Sequence, residues 1–167
     1  MKKILESTEF GLDFNSLKKQ EKEPKKTLAL SINTDTHELI KLKFFNFHFE
    51  KKLPGKQATE TFLLTNLLLN IEKLFTQKYG EILIPDEEYL TIYKRKRGRS
   101  RDGEKSETYA VIMQSKYIDL LYRLIHTRYV NELENKNLRR YVPGEFFNDV
   151  IYDFLKNNKL ELIQDGE

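Results

Sequence analysis

Lys94, Arg95, Lys96, Arg97, Arg99 and Arg101 crowd six positive charges into eight positions, the densest chemistry in the chain. Such a run suits phosphate oxygens. The whole chain has a formal charge of only +3, so the footprint lies in where the charge sits, not in its sum. Arg139 and Arg140 form a second basic pair, and Lys26, Lys56, Gln57 and Thr59 add isolated donors. Catalytic chemistry finds little support. His37, His48 and His126 are scattered without metal-ligand spacing, and the acidic residues form no ordered pattern. There is no Gly-rich phosphate loop, nucleophile elbow or HExxH-like cluster. The tyrosines lack the His or Arg constellation that would make one a nucleophile, and they read as core and surface residues. No enzyme activity, cofactor or metal is expected.

Residues 27–32 alternate: Leu28, Leu30 and Ile32 share one face, Thr27, Ala29 and Ser31 the other. That period marks a strand with one buried face. Asn33, Thr34 and Asp35 are all good N-cap types, and Asp35 with Glu38 offers a capping-box-like pair, at the start of a helix reaching about residue 52. Leu39, Ile40, Phe44 and Phe47 line one side of it, while Leu42, Phe45 and Phe49 line another. The expectation is a deeply packed helix, with a second interface for a partner or another copy as the alternative. Pro54 and Gly55 mark a break, Thr59 a cap, and Leu63, Leu64, Leu67, Leu68, Ile71 and Leu74 a helical stripe ending at Gly80. Tyr89 to Tyr93 carries strand propensity. Two arrangements of the basic run stay open: an arm along phosphates or in a minor groove, or the tip of a hairpin between 89–95 and 105–114. Tyr109, Val111 and Met113 then alternate with Thr108, Ala110 and Ile112 as a second strand. Ser115 is read as the cap of a helix carrying Ile118, Leu121, Leu124 and Ile125. Pro143 suits the first position of a last helix with Phe146, Phe147, Val150, Ile151 and Phe154.

These elements spell one pattern twice. Thr27, Ala29 and Leu39 fall 81 positions before Thr108, Ala110 and Leu120, the same residue types. The stripe from Leu63 to Leu68 lies over that from Phe146 to Ile151 at an offset of 83. Five regions follow: a flexible tail 1–26, a first strand–helix–helix copy 27–76, a linker 77–106 with a further strand and the basic loop, a second copy 107–159, and a tail 160–167. A strand–helix–helix unit cannot close a core alone, so the copies are expected to pair. The fold class is mostly α with a short antiparallel β-ribbon. No Cys is present and no apolar run approaches the ~20 residues a membrane span needs. No signal-like segment opens the chain. A cytoplasmic protein is expected.

The strand and helix order, with the segment from Pro143 to Leu155 and its acidic first turn, resembles the ribbon-helix-helix superfamily of the Arc and MetJ repressors. The likeness spans about two-thirds of the chain. Two departures stand out: long first helices, and outward strand faces poor in Arg, Lys and Gln. The resemblance implies an intramolecular pseudo-dimer, similar to TraY-type relaxosome accessory proteins, with the ribbon in the major groove of double-stranded DNA. The implied base contacts are Thr27, Ala29, Ser31, Thr108, Ala110 and Ile112. The implied phosphate contacts are Lys26, Lys56, Gln57, Thr59, Arg139, Arg140 and the basic run. The expected role is a relaxosome accessory factor or a transcriptional or partition regulator of a mobile element. A relaxase or other protein is a further expected partner. The chain would act as a monomer able to oligomerise on DNA. The alternative is a protein-binding adaptor or inhibitor on the same scaffold.

Overall fold

A computed structural model describes residues 24–94, 105–133 and 142–163. Within them the chain is mostly helical, with one two-stranded antiparallel sheet. Strand β1 (Lys25–Asn33) runs into helix α1 (Thr34–Lys51), and α2 (Glu60–Tyr79) and the short α3 (Glu87–Tyr93) follow. Strand β2 (Ser106–Gln114) leads into α4 (Ser115–Arg128), which a π-helical stretch Tyr129–Leu133 extends. The last helix, α5, is built from Pro143–Phe146, a π-helical stretch Phe147–Ile151, and Tyr152–Asn157. No helix among the described residues is long and apolar enough to cross a membrane.

The alternation of apolar residues becomes a ribbon with one wet and one dry face. Leu28 pairs with Val111 and Leu30 with Tyr109, while Ala29 sits opposite Ala110. Leu28, Leu30, Ile32, Tyr109, Val111 and Met113 are all buried against the helices. The two strands are displaced by 81 positions at both ends, and Thr34 and Ser115 open the following helices at the same offset. The helix starts are tied to the opposite strand's approach. Thr34 N–H donates to the Lys105 carbonyl at 3.0 Å, and Ser115 N–H donates to the Pro24 carbonyl at 2.8 Å. Beneath the ribbon the halves interlock: α1 lies against the last turns of α5, and α2 against α4. Leu67 and Ile151, central in their stripes, are fully buried.

Several expectations change. Tyr89 to Tyr93 is not a strand. Asp86 caps α3, its carboxylate accepting from Tyr89 N–H at 3.0 Å, with Glu87 and Glu88 in the first turn. Helical spacing then sets Tyr89 and Tyr93 against His126, with Tyr89 reaching Tyr129 as well. Tertiary packing and a good cap override β-propensity here. Among the described residues the ribbon therefore has no third strand beside it, and Tyr89–Tyr93 does not supply one side of a hairpin. Of the three N-cap candidates at the start of α1, neither Thr34 nor Asp35 is the cap. Asn33 holds the N-cap position of α1 with no side-chain cap bond, and Gln114, not Ser115, holds that of α4. The backbone bonds across the ribbon satisfy these helix starts instead. Thr59, in contrast, caps α2 as expected, accepting from Phe62 N–H at 3.2 Å.

Leu42, Phe45 and Phe49 are not packed inside: they are 55%, 65% and 77% exposed. The opposite side of α1, with Ile40, Phe44 and Phe47, faces the core alone. At the C-terminal end Leu160 is buried, and the chain after it runs across α2 as a strap. Asn70 Nδ2 donates to the Glu161 carbonyl at 2.8 Å, and Asn70 Oδ1 accepts Glu161 N–H at 3.0 Å. Asn66 Oδ1 accepts Ile163 N–H at 2.8 Å. Two buried asparagines thus serve the strap as a strand edge would, which answers the cost of burying amides.

His126 is buried under Tyr89, with the Tyr93 hydroxyl 2.8 Å from its Nδ1. Burial holds its pKa below the ordinary value of 6.5. The unfolded chain therefore takes up this proton first, and its contribution to stability is lost as pH falls below 6.5 toward the lowered folded value. The midpoint of urea unfolding should drop between neutral pH and about pH 5.5, and His126→Gln should make that drop smaller. An unchanged drop in the variant would place the acid sensitivity elsewhere.

Candidate nucleic-acid interface

The dry face of the ribbon forces the other face outward. Thr27, Ala29, Thr108, Ala110 and Ile112 are exposed, Ile112 at 57%. Ser31 is half-buried, because the start of α5 presses on its backbone. At the centre only methyl groups project, from Ala29 and Ala110. Hydroxyls flank them, since Ser31 pairs with Thr108 and Thr27 with Ile112. The face extends one residue further than the sequence pattern indicated. Lys25 pairs with Gln114 at one end and Asn33 with Ser106 at the other, all on the outward parity. Lys25 and Gln114 were missed as candidates, and carrying the alternation one step past each apolar run would have found them. They supply the charged and amide groups that the face otherwise lacks.

Both second helices begin beside this ribbon. On one side Gln57, Thr59 and Thr61 share a hollow with Lys25 and Gln114. Thr61 Oγ1 donates to the Ile112 carbonyl at 2.8 Å and pins α2 to the edge of β2. On the other side Pro143 and Gly144 share a groove with Lys26, Thr27 and Lys94. A Cβ on Gly144 would lie 2.3 Å from the Ser31 carbonyl oxygen, so only glycine permits this approach. Thr61 and Gly144 stand at equivalent places in the 83-residue offset, and Ile112 and Ser31 in the 81-residue offset. The same junction is therefore made twice, once with a hydroxyl and once by bare backbone contact.

The donors fall around these junctions. Lys26, Lys56 and Gln57 are exposed, and Lys56 and Gln57 lie in the turn that leads to α2. Thr59 is exposed, but its hydroxyl is engaged as the cap. Lys94 is exposed at the end of α3, in the groove shared with Lys26 and Thr27, with its ammonium over the Tyr122 ring at 5.7 Å. Arg95, Lys96, Arg97, Arg99, Arg101, Arg139 and Arg140 lie outside the described residues. Glu60 and Glu145 occupy the first turns of the two helices, so positive potential there rests on the backbone N–H groups and, before α2, on Lys56. At one end of the ribbon Glu107 pairs with His37, and this hydrogen bond holds its carboxyl below the usual carboxylate range. Tyr109, buried under the ribbon, has its phenol pushed up by burial and stays protonated.

Neither a family model nor a curated protein nor a solved structure matches this chain. The chemistry of the interface thus rests on the residues themselves: a shallow ribbon of small side chains, a Lys and a Gln at one end, and helix N-termini flanking both edges.

The Gly144 junction is open to test. Gly144→Ala should lower stability by about 1–3 kcal/mol, since the added methyl meets backbone and not a yielding side chain. Gly55→Ala, with nothing within 4 Å of its Cβ, should stay within about 0.5 kcal/mol of the parent. Equal urea midpoints for the two variants would contradict the close approach of α5 to β1.

Proposed function

We propose that the chain is a tandem ribbon-helix-helix protein, one polypeptide supplying both halves, that places its ribbon in the major groove of duplex DNA. The observation that carries the reading is the wet face of the ribbon, bounded on both edges by helix starts. A two-stranded ribbon fits the major groove, and backbone N–H groups at helix starts suit the phosphates on either side. The register supports the two-copy reading: the 81-residue offset maps Ala29 onto Ala110, the pair that face each other, so a pseudo-dyad passes between them. The paired bonds from Thr34 and Ser115 obey the same dyad.

On this reading Ala29, Ala110 and Ile112 touch thymine methyls, while Thr27, Ser31 and Thr108 bond to base edges. Lys25 and Gln114 reach bases or phosphates at one end only. The unlike ends make the reader asymmetric, so its site need not be a palindrome. No Arg stands on the face. Direct discrimination is therefore modest, and phosphate contacts and DNA shape carry more of the binding. Lys26, Lys56, Gln57, Lys94 and the basic residues that follow it, with Arg139 and Arg140, hold the backbone. By resemblance the role is accessory to DNA transfer at a relaxosome, or regulatory at a promoter or partition site of a mobile element.

Titration at several salt concentrations separates the two sets of contacts. Neutralising Lys94, Arg95, Lys96 and Arg97 should weaken binding to all duplexes alike and flatten the salt dependence by ~0.9 log units per lost phosphate contact. Gln114→Ala or Thr108→Val should instead penalise the duplex selected from a random pool more than a scrambled one, by about 1 kcal/mol. A parent protein that binds no duplex at low salt would overturn the reading and favour the protein-binding scaffold.

A further inference from the structure

Helix α1 has a second apolar face that no other described element covers. Leu42, Phe45 and Phe49 recur at spacings of three and four, the rhythm of a helix–helix seam. They are 55%, 65% and 77% exposed, and the rings of Phe45 and Phe49 stack with centroids 6.5 Å apart. A soluble helix does not gain by holding two stacked phenyl rings in water. The opposite face, with Ile40, Phe44 and Phe47, already supplies this helix's share of the core. The bare stripe is therefore not needed for folding.

Its flanks say what fits it. Asp35 and Glu38 stand exposed at the N-terminal end of α1, and Lys51 and Lys52 at the C-terminal end. Glu38 precedes Phe45 by seven residues and Lys52 follows it by seven. Laid antiparallel on a copy of itself about Phe45, the helix brings Glu38 of each chain to Lys52 of the other, acid to base at both ends. The helix dipoles then also run in opposed directions. A surface complementary to itself under a twofold rotation is what an isologous dimer requires.

We infer that the outer face of α1 is a self-association surface, on which a second copy of this chain packs antiparallel through Leu42, Phe45 and Phe49. The contact is small. Three partly exposed side chains offer on the order of 300–400 Å² per copy, against the ~800 Å² per partner of a standard interface. The dimer is accordingly weak and concentration-dependent, suited to joining copies already held close together. It does not require nucleic acid.

Sedimentation of the full chain without DNA tests it, from ~10 μM to ~1 mM, the range in which so small an interface assembles. The average mass should rise toward that of a dimer with concentration. Phe45→Lys or Phe49→Lys should hold the protein monomeric, with the melting curve of the parent because both rings are exposed. Glu38→Lys should weaken the dimer about tenfold or more, and adding Lys52→Glu to it should restore most of the loss. Glu38 lies in the second turn of α1 and Lys52 caps its far end, about 20 Å away at ~1.5 Å per residue, so such rescue must act between chains. A monomer at every concentration, a dimer that survives both Phe substitutions, or a double charge swap no better than the single one would each overturn the proposal.

Discussion

The register between β1 and β2 is the constraint on which the other features depend. Two strands alone are marginal in water, so this ribbon persists only because its dry face lies on the helices. A slip of one residue would turn Leu28, Leu30, Tyr109 and Val111 outward and bring the threonines and alanines against the core. The same register sets Lys105 opposite the start of α1 and Pro24 opposite the start of α4, which gives each helix its first backbone acceptor. Helix direction, and with it the interlocking of α1 with α5 and α2 with α4, follows from how the strands meet.

That constraint also shapes the exposed face. Because alternation is strict, whatever is not committed to the core must face water, and here it is small. Ala29 opposite Ala110 leaves a shallow centre, with bulk and polarity displaced to Ile112, Lys25 and Gln114. The asymmetry between the two halves of the fold appears where their second helices meet this ribbon. Thr61 bonds to the Ile112 carbonyl, while Gly144 lets α5 press on the Ser31 carbonyl with no side chain between. One edge is thus built with a hydroxyl and the other with close backbone packing. A protein with two unlike edges has no reason to treat both flanks of a ligand alike.

Much of the architecture was legible in the chain because it depends on which residues avoid water. The strand alternation, the leucine stripe of α2, the cap at Thr59 and the start at Pro143 all follow from local pattern. What was not legible depends on distant partners. Tyr89 to Tyr93 looks like a strand by residue type, and only the Asp86 cap and the waiting His126 surface make it helical. Asn66 and Asn70 sit unremarked within a leucine-rich helix, since their partner Glu161 lies more than 90 positions away. The π-helical stretches at Tyr129–Leu133 and Phe147–Ile151 leave no trace in a periodicity count. On α1 the apolar surplus was visible, but an apolar residue does not state whether its partner lies in the same chain. Lys25 and Gln114 were hidden for a simpler reason: they stand where the apolar alternation ends and the strands do not.

Amide chemical-shift mapping of the full chain during titration with duplex DNA at low salt tests the central claim most directly. The account predicts that the largest changes fall on Thr27, Ala29, Thr108 and Ala110, with further changes at Thr61 and Gly144 where the second helices begin. The strap at Glu161 and Ile163, bound to the side of α2, should hardly move. Changes confined to the strap and α1, with the ribbon amides unmoved at saturating duplex, would contradict it.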